Sequence, residues 1–342
     1  MTSGAVDHDN GSGAPRLERL AESVRRGLGL PQESPVALQE IEEHSNINYV
    51  FRGEAAGRTL YLKVVPERPR RFAAHLPRER LLSEAEALRR FRDLAGDVVR
   101  IPEVLFVGHR EMALGMSDVG NGRRVLFSLL PDRFELLHEQ AETLGRAIGT
   151  IHRGTRGGGP IRPPAEEAII RKVIFDGLMA PGAQQVFPEL WDEVGAEMQA
   201  PEQCLVHADL WSKNLLVAPG EPVALVDFEG VFYGDPAFDL GTLVAVALLP
   251  ALERNALYPA AHDFVTRLLD AWSTTCGDPS WAREVLPRTF RATATFLAAR
   301  GFGPFAYELG EETRRHVARL AESLAATPPT DLRGFLRRVG PP

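Results

Sequence analysis

The sequence predicts an α+β fold in which a small antiparallel sheet precedes a mainly helical half. Residues 36–41, 47–53 and 59–65 alternate polar and apolar side chains or are rich in β-branched and aromatic residues, as strands are. After residue 135, apolar residues recur mostly at helical spacing. The chain has 342 residues, whereas single hydrophobic cores stop growing near about 250–300 residues. We therefore expect two lobes.

The first lobe is predicted to span residues 16–118, after a Gly-, Ser- and Asp-rich stretch at 1–15 that is typical of a disordered tail. Residues 54–58 form the turn of a hairpin between the second and third strands. The lobe is completed by helices at 17–28 and 78–94 and by strands at 103–107 and 112–116. The polar, glycine-containing segment 117–122 then marks the boundary.

The second lobe, residues 119–342, is predicted to be helical and to carry one short hairpin at 215–217 and 224–226. The predicted helices lie at 139–152, 165–177, 190–198, 237–249, 261–275, 281–300 and 311–326. A small sheet with one long helix, followed by a helical domain, is therefore the order of elements that we expect.

The composition excludes several classes of protein. The net charge is −7, whereas surfaces for nucleic acid or anionic membranes need an excess of basic residues, so we expect neither partner. No apolar run approaches the roughly 20 residues that span a bilayer. The two cysteines imply no disulfide framework, and the N-terminus lacks a signal-peptide pattern. These features favour a cytoplasmic location.

The residues that carry chemistry are concentrated in one window of the second lobe. His207 and Asp209 are followed by Asn214, and Asp227 comes thirteen residues later, after an apolar run. The sequence GDPAFD at 234–239 then opens a helix. Carboxylate and amide oxygens are ligands that suit Mg²⁺, and a kinase needs a further carboxylate for the acceptor hydroxyl. The pattern therefore predicts phosphoryl transfer.

Each of these residues has an expected role. Asp209 accepts the hydroxyl proton, Asn214 offers its amide oxygen to one Mg²⁺, and Asp227 bridges the metal ions that bind the ATP phosphates. His207 is structural and fixes the loop through hydrogen bonds. Each motif alone arises often by chance, but the ordered combination after a sheet-plus-helix lobe is much rarer.

The sequences HADLWSKN, DFE and GDPAFDL resemble the catalytic core of the aminoglycoside phosphotransferase and choline kinase superfamily. The segments SNINYVFR, LYLKVV, ERLLSEAEAL and VFYGDPAFDLG are most similar to its methylthioribose kinase branch. This resemblance, which covers about residues 36–245, implies a protein-kinase-like bilobal fold with a small antiparallel-sheet N-lobe and a mainly helical C-lobe. It also implies ATP and Mg²⁺ as cofactors. Ala208 stands where the family motif has glycine.

The resemblance further implies which groups hold the nucleotide. Lys63 matches the lysine that pairs with the α- and β-phosphates, and it is one of only three lysines among 39 basic residues. A lysine retained in an arginine-rich background suggests a role that a forked guanidinium cannot fill. Its carboxylate partner is Glu84 by the family register, with Glu79 and then Glu86 as the alternatives.

Two more segments are assigned to the nucleotide by the same resemblance. The loop before the second strand lacks glycine, and it would contact the phosphates through Ser45, Asn46 and Asn48. Met116 and Ser117 would lie nearest the adenine, although core packing explains the methionine equally well.

Several residues around the motif have more than one interpretation. Glu229 either assists the metal or faces the acceptor, and Lys213 either neutralises the transferred phosphoryl group or is solvated. Asp239 is structural, since a carboxylate at a helix start can cap the helix and brace the catalytic loop. Tyr233 and Arg300 are further candidates for acceptor contacts.

We therefore expect an ATP-dependent enzyme that transfers the γ-phosphate to a hydroxyl of a sugar-, nucleoside- or aminoglycoside-like acceptor, with antibiotic inactivation as one role. The alternatives are a kinase for a metabolite such as methylthioribose, choline or homoserine, and a catalytically silent kinase fold that serves as a binding module. The silent module is disfavoured because Lys63, Asp209, Asn214 and Asp227 are all present. A protein kinase is disfavoured because Gly234 follows Asp227 after only seven positions, which leaves no room for an activation loop.

Overall fold

The computed structural model describes residues 13–41, 47–66 and 76–340. The chain divides into two compact units. One comprises the chain up to Ala85 together with Glu103–Asp118, and the other comprises Glu86–Pro102 together with the chain from Val119 onward. The predicted fold class is confirmed, since the first unit is built on a small antiparallel sheet and the second is mostly helical.

The first unit contains a five-stranded antiparallel sheet. Its elements are α1 (Gly13–Gly27), β1 (Val36–Glu40), β2 (Tyr49–Ala55), β3 (Arg58–Val64), the start of α2 (Arg80–Ala95), β4 (Val104–Gly108) and β5 (Ala113–Ser117). The strand order is β1-β2-β3-β5-β4, so β5 extends the predicted meander beside β3. Helix α1 begins at Gly13 and includes three residues of the expected tail. Residues 1–12 lie outside the described part of the chain.

The alternation of β3 determines what this sheet presents on each face. Leu60, Leu62 and Val64 point into a core that they share with apolar residues of α1, β2 and β4. Lys63 lies between two of them on the opposite face and is nevertheless buried. A two-residue turn with left-handed φ angles at Ala56 and Gly57 joins β2 to β3, and it fixes the register that places the lysine.

The second unit is mostly helical and carries two small sheets, one of two strands and one of three. Its helices, after the remainder of α2, are α3 (Phe134–His138), α4 (Ala141–Thr155), α5 (Pro164–Lys172), α6 (Ala180–Val186), α7 (Trp191–Gln199), α8 (Ala237–Glu253), α9 (Tyr258–Cys276), α10 (Pro279–Phe302), α11 (Glu311–Ala326) and α12 (Leu332–Arg338). A π-helical stretch, Val173–Met179, continues α5. The strands are β6 (Arg124–Val125), β7 (Cys204–Val206), β8 (Leu215–Val217), β9 (Ala224–Leu225) and β10 (Phe232–Gly234).

Helix α8 is the central element of this unit. Nearly every side chain from Ala237 to Leu252 is buried, and the helix packs against both α9 and α10. A helix that is apolar on all sides belongs to a protein core or to a membrane. Among the residues that the structure describes, no helix combines the length and apolarity required to cross a bilayer.

Helices α4 and α9 approach each other closely because glycine lies at their contact. A Cβ atom built on Gly145 would lie 2.3 Å from the carbonyl oxygen of Leu268, and one on Gly149 would lie 2.9 Å from Cβ of Thr275. Only a residue without a side chain fits the first position, since the obstacle is backbone. This close packing brings the C-terminal turn of α4 next to α9.

We expect Gly145→Val to destabilise the protein by about 3 kcal/mol, at the upper end of overpacking costs, because the Leu268 carbonyl cannot move without shifting α9. Chemical denaturation measures the free energy of unfolding. Gly310→Ala is the matched control, since nothing lies within 4 Å of a Cβ atom at that position. Equal stability of the two variants would contradict the proposed close contact between α4 and α9.

Candidate active site

The predicted catalytic residues lie on one loop and one strand end. The loop from His207 to Asn214 joins β7 to β8, and Asp227 follows directly after the β8–β9 hairpin. The backbone N–H of Val226 donates to the carbonyl of Asn214 at 3.1 Å. Strand β10 pairs with β7 in antiparallel register and anchors the chain on the other side of Asp227. Short strands thus fix both ends of each segment.

Asp209 and Asn214 are in direct contact. The Asn214 amide Nδ2 donates to the Asp209 carboxylate at 2.6 Å and to the Asp209 carbonyl at 2.9 Å. Since both bonds use the amide nitrogen, the amide orientation is fixed. The amide oxygen of Asn214 accepts no hydrogen bond from the described residues and is available as a ligand.

The charges around Asp209 oppose one another. Burial raises the pKa of the Asp209 carboxyl to about 7, and the carboxylates of Asp227 and Glu229 act in the same direction. Arg300 and the hydrogen bond from Asn214 lower this pKa. A carboxyl group whose pKa lies close to the working pH is suited to accept a proton from an alcohol and to release it again.

Two residues beside the chemistry adopt left-handed backbone conformations. Ala208 has φ 65°, and Asp227 has φ 65° and ψ 74°. Residues other than glycine rarely adopt this region, and such strain is concentrated at functional sites. The conformation of Ala208 explains why the related motif carries glycine, and the hydrogen bonds described below hold alanine there.

The oxygen donors of Asp227 and Asn214 suit Mg²⁺, which is usually bound by protein and substrate phosphates together, better than a metal that needs only protein ligands. Among the described residues, no group of three or more His, Cys, Asp or Glu side chains lies close enough together to hold a metal ion. Magnesium is usually bound through one or two carboxylates together with waters and substrate phosphates. Asp227 and the amide oxygen of Asn214 are hard oxygen donors of that kind, so the residues present fit Mg²⁺.

Asp239 holds the catalytic loop in place. Its two carboxylate oxygens accept the backbone N–H groups of His207 at 2.8 Å and Ala208 at 2.9 Å. The ring Nε2 of His152 lies 3.2 Å from the same carboxylate, and the Trp272 indole donates to His152 Nδ1 at 3.0 Å. Because an indole only donates, His152 carries its proton on Nε2 and donates to Asp239.

The bracing role expected of Asp239 matches these contacts, but the capping role is wrong. The N-cap of α8 is Pro236, which makes no side-chain cap bond. The Asp235 carboxylate instead accepts the N–H of Ala237 at 3.0 Å. Asp239 lies in the first turn of α8, but its oxygens are occupied by the loop amides.

His207 is fixed by packing. Its ring is fully buried between Phe91 and Phe228, with ring centroids 6.2 and 4.5 Å away. Burial lowers the pKa of the imidazole, which keeps the ring neutral at physiological pH. Neither ring nitrogen has a hydrogen-bond partner among the described residues, so the ring does not fix the loop through hydrogen bonds as expected. The aromatic contacts and the backbone bond to Asp239 give His207 its structural role.

Arg162 is a buried residue that the sequence gave no reason to select. Its guanidinium donates to the carbonyls of Val231 at 2.8 Å and Glu229 at 2.5 Å, and it pairs with Glu166 at 2.5 Å. It therefore holds the segment that follows Asp227. The only sequence signal is that an arginine precedes Glu166 by four residues at a helix start.

Tyr233 is held in place by its surroundings. Glu167 accepts its backbone N–H at 2.7 Å, and Arg171 donates to its carbonyl at 3.0 Å. Its hydroxyl donates to the carbonyl of Gln203 at 3.0 Å. The structure therefore does not bring the Tyr233 hydroxyl to Asp209, in contrast to Glu229 and Arg300, whose charges act on that carboxylate.

The residues assigned to the nucleotide lie in the first unit. Lys63 donates to Glu84 at 2.9 Å, and both side chains are buried, so Glu84 rather than Glu79 or Glu86 forms this ion pair. Asn48 accepts from Arg80 at 2.5 Å. Met116 and Ser117 are half-buried in β5, and the Ser117 hydroxyl accepts the N–H of Glu103 at 2.8 Å. Ser45 and Asn46 lie outside the described residues.

An aromatic–cation cluster of Phe127, Trp211, Lys213, Arg300 and Tyr307 adjoins the catalytic loop. The Arg300 guanidinium lies 3.8 Å from the Trp211 ring centre, and Lys213 Nζ lies 4.9 Å from the rings of both Phe127 and Trp211. The Tyr307 hydroxyl bonds Ser212 at 2.9 Å. Trp211 lies within the motif HADLWSKN, but Phe127 and Tyr307 are too distant in sequence for spacing to link them to it.

We expect Asp239→Asn to destabilise the protein by about 3 kcal/mol, because an amide cannot accept both loop N–H groups and also the His152 proton. Asp263→Asn is the control, since Asp263 forms a comparable pair with His138 at 2.7 Å but is largely exposed. That variant should lose less than about 1 kcal/mol. Thermal and urea unfolding measure both, and equal losses would contradict the bracing role.

The chain is similar to several phosphotransferases. The sequence profile of the phosphotransferase enzyme family matches residues 38–285. A methylthioribose kinase from Exiguobacterium sibiricum is 26% identical over 253 residues, which are 64% of this chain and 63% of the relative. The match thus spans less than two thirds of that relative's length.

A solved structure shows the same fold. A choline/ethanolamine kinase family protein from Mesorhizobium loti is similar with a TM-score of 0.52 at 19% identity, over 95% of this chain and 97% of that chain. The aminoglycoside phosphotransferase APH(4)-Ia has a TM-score of 0.49 at 15% identity, over 96% of this chain and 100% of that chain. The resemblance expected from the motifs is confirmed, and the chain belongs to the phosphotransferase enzyme family.

Proposed function

We propose that the protein is an ATP-dependent phosphotransferase that moves the γ-phosphate to a hydroxyl group of a small molecule. The observation that carries this proposal is the contact between Asp209 and Asn214, which orients a carboxylate of raised pKa while leaving an amide oxygen for a metal. Membership of the phosphotransferase enzyme family supports the same reaction.

In the proposed reaction the acceptor oxygen forms a bond to the γ-phosphorus while the bond from that phosphorus to the β–γ bridging oxygen breaks. The hydroxyl proton passes to Asp209, and the products are a phosphate monoester and ADP. Asn214 orients Asp209 through the 2.6 Å hydrogen bond. Mg²⁺, when bound by Asp227 and Asn214, would supply positive charge to the phosphates. Catalysis of this kind depends mainly on positioning and electrostatics.

The first unit supports nucleotide binding independently of the second. Burying a lysine together with a glutamate costs free energy of desolvation, and such a pair is retained where its geometry serves a function. In kinases a lysine–glutamate pair of this kind positions the lysine for the phosphates. We propose that Lys63 and Glu84 do so here, with Met116 and Ser117 near the adenine.

We propose a sugar hydroxyl as the acceptor. The relative is named as a methylthioribose kinase, which favours a sugar hydroxyl. Nucleoside-like and aminoglycoside-like acceptors, choline and homoserine are the alternatives, and inactivation of an antibiotic would follow only from some of them. A panel of these compounds with Mg²⁺ and ATP, read out by ADP formation and mass spectrometry, identifies the class.

We expect Asp209→Asn to reduce phosphoryl transfer by at least about 10³-fold, because the amide cannot accept the hydroxyl proton. Affinity for MgATP, measured by calorimetry, should stay within about twofold, since the carboxylate is assigned to the acceptor. Asp176→Asn, at an exposed pair with Lys172, is the control. A variant with wild-type kcat would contradict the role of Asp209, and loss of nucleotide binding alone would reassign it to the metal.

Lys63→Arg should lower kcat/KM by at least about tenfold although it keeps the charge, because a planar guanidinium does not fit a buried site built for a compact ammonium group. Lys172→Arg is a matched control on a side chain that is 76% exposed, and it should be neutral. Steady-state kinetics with ATP as the varied substrate separate the two. Wild-type activity of Lys63→Arg would show that Lys63 is a structural residue only.

A further inference from the structure

Two positive charges beside the catalytic loop form no ion pair with any residue that the structure describes. Arg300 rests on the Trp211 ring at 3.8 Å, and Lys213 is 4.9 Å from the same ring. Within the described residues, neither side chain forms an ion pair or donates a hydrogen bond to another side chain or carbonyl. The five N–H donors of the guanidinium therefore lack a protein acceptor in the part of the chain that the structure describes.

Other arginines of the same unit behave differently when they are withdrawn from solvent. Arg162 pairs with Glu166 at 2.5 Å, and Arg288 pairs with Asp235 at 2.6 Å. Half-buried charges are normally compensated in this way, because removing a charge from water costs free energy unless a partner replaces the solvent. Arg300, which lies beside the catalytic loop, forms no such ion pair within the described residues.

The two charges also destabilise each other. Burial lowers the pKa of the Arg300 guanidinium. Lys213 and Arg300 lie over the same Trp211 ring, 4.9 and 3.8 Å from its centre. A pair of like charges held over one indole is an unfavourable arrangement in the free protein. An anion placed between them would remove the repulsion and satisfy the unused donors.

The cluster lies where an acceptor must bind. The charge of Arg300 acts on the Asp209 carboxylate, so the two groups are within electrostatic range. Phe127, at the edge of the cluster, is 40% exposed, so the cluster opens to solvent. An acceptor that presents its hydroxyl to Asp209 can therefore place another group against Arg300.

The same arrangement disfavours a cationic acceptor. The ring faces of Trp211 and Phe127 already carry the protein's own cations, which leaves them unavailable as a cage for a quaternary ammonium group. The negative groups near Asp209 are Asp227 and Glu229, and Asp227 is assigned to the metal. The charge that remains on the cluster is positive.

We propose that the acceptor carries an anionic group, a carboxylate or a phosphate, on the same molecule as the reacting hydroxyl, and that Arg300 and Lys213 bind this group. Polycationic aminoglycosides are then rejected. This inference rests on the proposed phosphotransferase function and narrows its acceptor class.

The test compares acceptors that differ in one charged group. Wild-type protein with Mg²⁺ and ATP is assayed with glucose, glucuronate, glucose 6-phosphate and glucosamine, with ribose and ribose 5-phosphate, with glycerol and glycerate, and with kanamycin. Phosphoester formation is measured by mass spectrometry. We expect at least one anionic compound to exceed its neutral partner by about tenfold or more in kcat/KM, which is about 1.4 kcal/mol. The carboxylate and phosphate arms identify which anion is bound.

A preference for a neutral or cationic member of these sets overturns the inference, and so does the absence of any phosphorylated anion in a protein that binds MgATP. Calorimetry with MgATP separates the two proposals. If MgATP does not bind, the phosphotransferase function fails, and the acceptor inference fails with it. If MgATP binds and kanamycin or a neutral sugar is the best acceptor, only the acceptor inference fails.

Variants at the cluster test the residues themselves. We expect Arg300→Gln to raise KM for the preferred anion at least about tenfold, while KM for ATP stays within about twofold. Loss of the charge beside Asp209 affects both acceptors alike, so the ratio of kcat/KM for the anion to kcat/KM for its neutral partner should fall about tenfold. Arg300→Lys should lie between the two, since it keeps the charge without the planar fork. Arg283→Gln, at an exposed position on the same helix, is the control.

If Arg300→Gln does not fold, Lys213→Gln decides the question. Lys213 is exposed on the catalytic loop, so its replacement leaves helix α10, which carries Arg300, unchanged. It should raise KM for the anion in the same direction and weaken the dependence of KM on salt. An unchanged KM in both variants would contradict the assignment of the cluster.

Discussion

The active-site geometry depends above all on one buried carboxylate. Asp239 accepts the backbone N–H groups of two successive loop residues, His207 and Ala208, and it is itself fixed by the imidazole of His152. Charged acceptors make the stronger hydrogen bonds, and burial removes competing water. The left-handed conformation of Ala208 persists because these bonds leave the backbone no alternative. Asp209 follows directly, so its direction is set from the core outward.

The catalytic loop has two kinds of neighbours, namely residues that hold the backbone by hydrogen bonds and the aromatic–cation cluster. Arg162 holds the carbonyls that follow Asp227, and α5 holds both backbone groups of Tyr233. These contacts are buried or partly buried, and each is made within the protein. The aromatic–cation cluster differs from these contacts, since its charges rest on aromatic rings and form no ion pair within the described residues. We therefore propose that Arg162 and α5 fix the segment that follows Asp227, whereas the aromatic–cation cluster contacts the substrate.

Much of this architecture is predictable from local pattern. The strand Leu215–Val217 and the helix Glu311–Ala326 have the predicted bounds, because short apolar runs between turns and long amphipathic runs are strong signals. The strands β6, β7 and β10 are not predictable in this way. They contain two or three residues each and exist only because tertiary pairing provides partners.

The same distinction applies to the site. His207, Asp209, Asn214 and Asp227 are adjacent in sequence and carry their own spacing, so a motif reveals them. Arg162 acts on carbonyls 67 and 69 residues away, and no spacing rule connects such positions. Asp239 shows the limit of local rules most clearly. Its position at a helix start suggests a cap, but the competition for its oxygens is decided by loop amides that lie 31 and 32 residues earlier.

The scarcity of lysine gives the protein a simple chemical signature. Acylating reagents modify accessible, unprotonated amines, and the side chains of the chain offer only Lys63, Lys172 and Lys213. Lys172 is 76% exposed, whereas the side chain of Lys63 is 7% exposed and bound to Glu84. Peptide mapping after brief acylation would thus report on folding, because Lys63 is modified slowly in the folded protein whereas Lys172 and Lys213 are modified quickly. The ion pair between β3 and α2 acts as an internal protecting group.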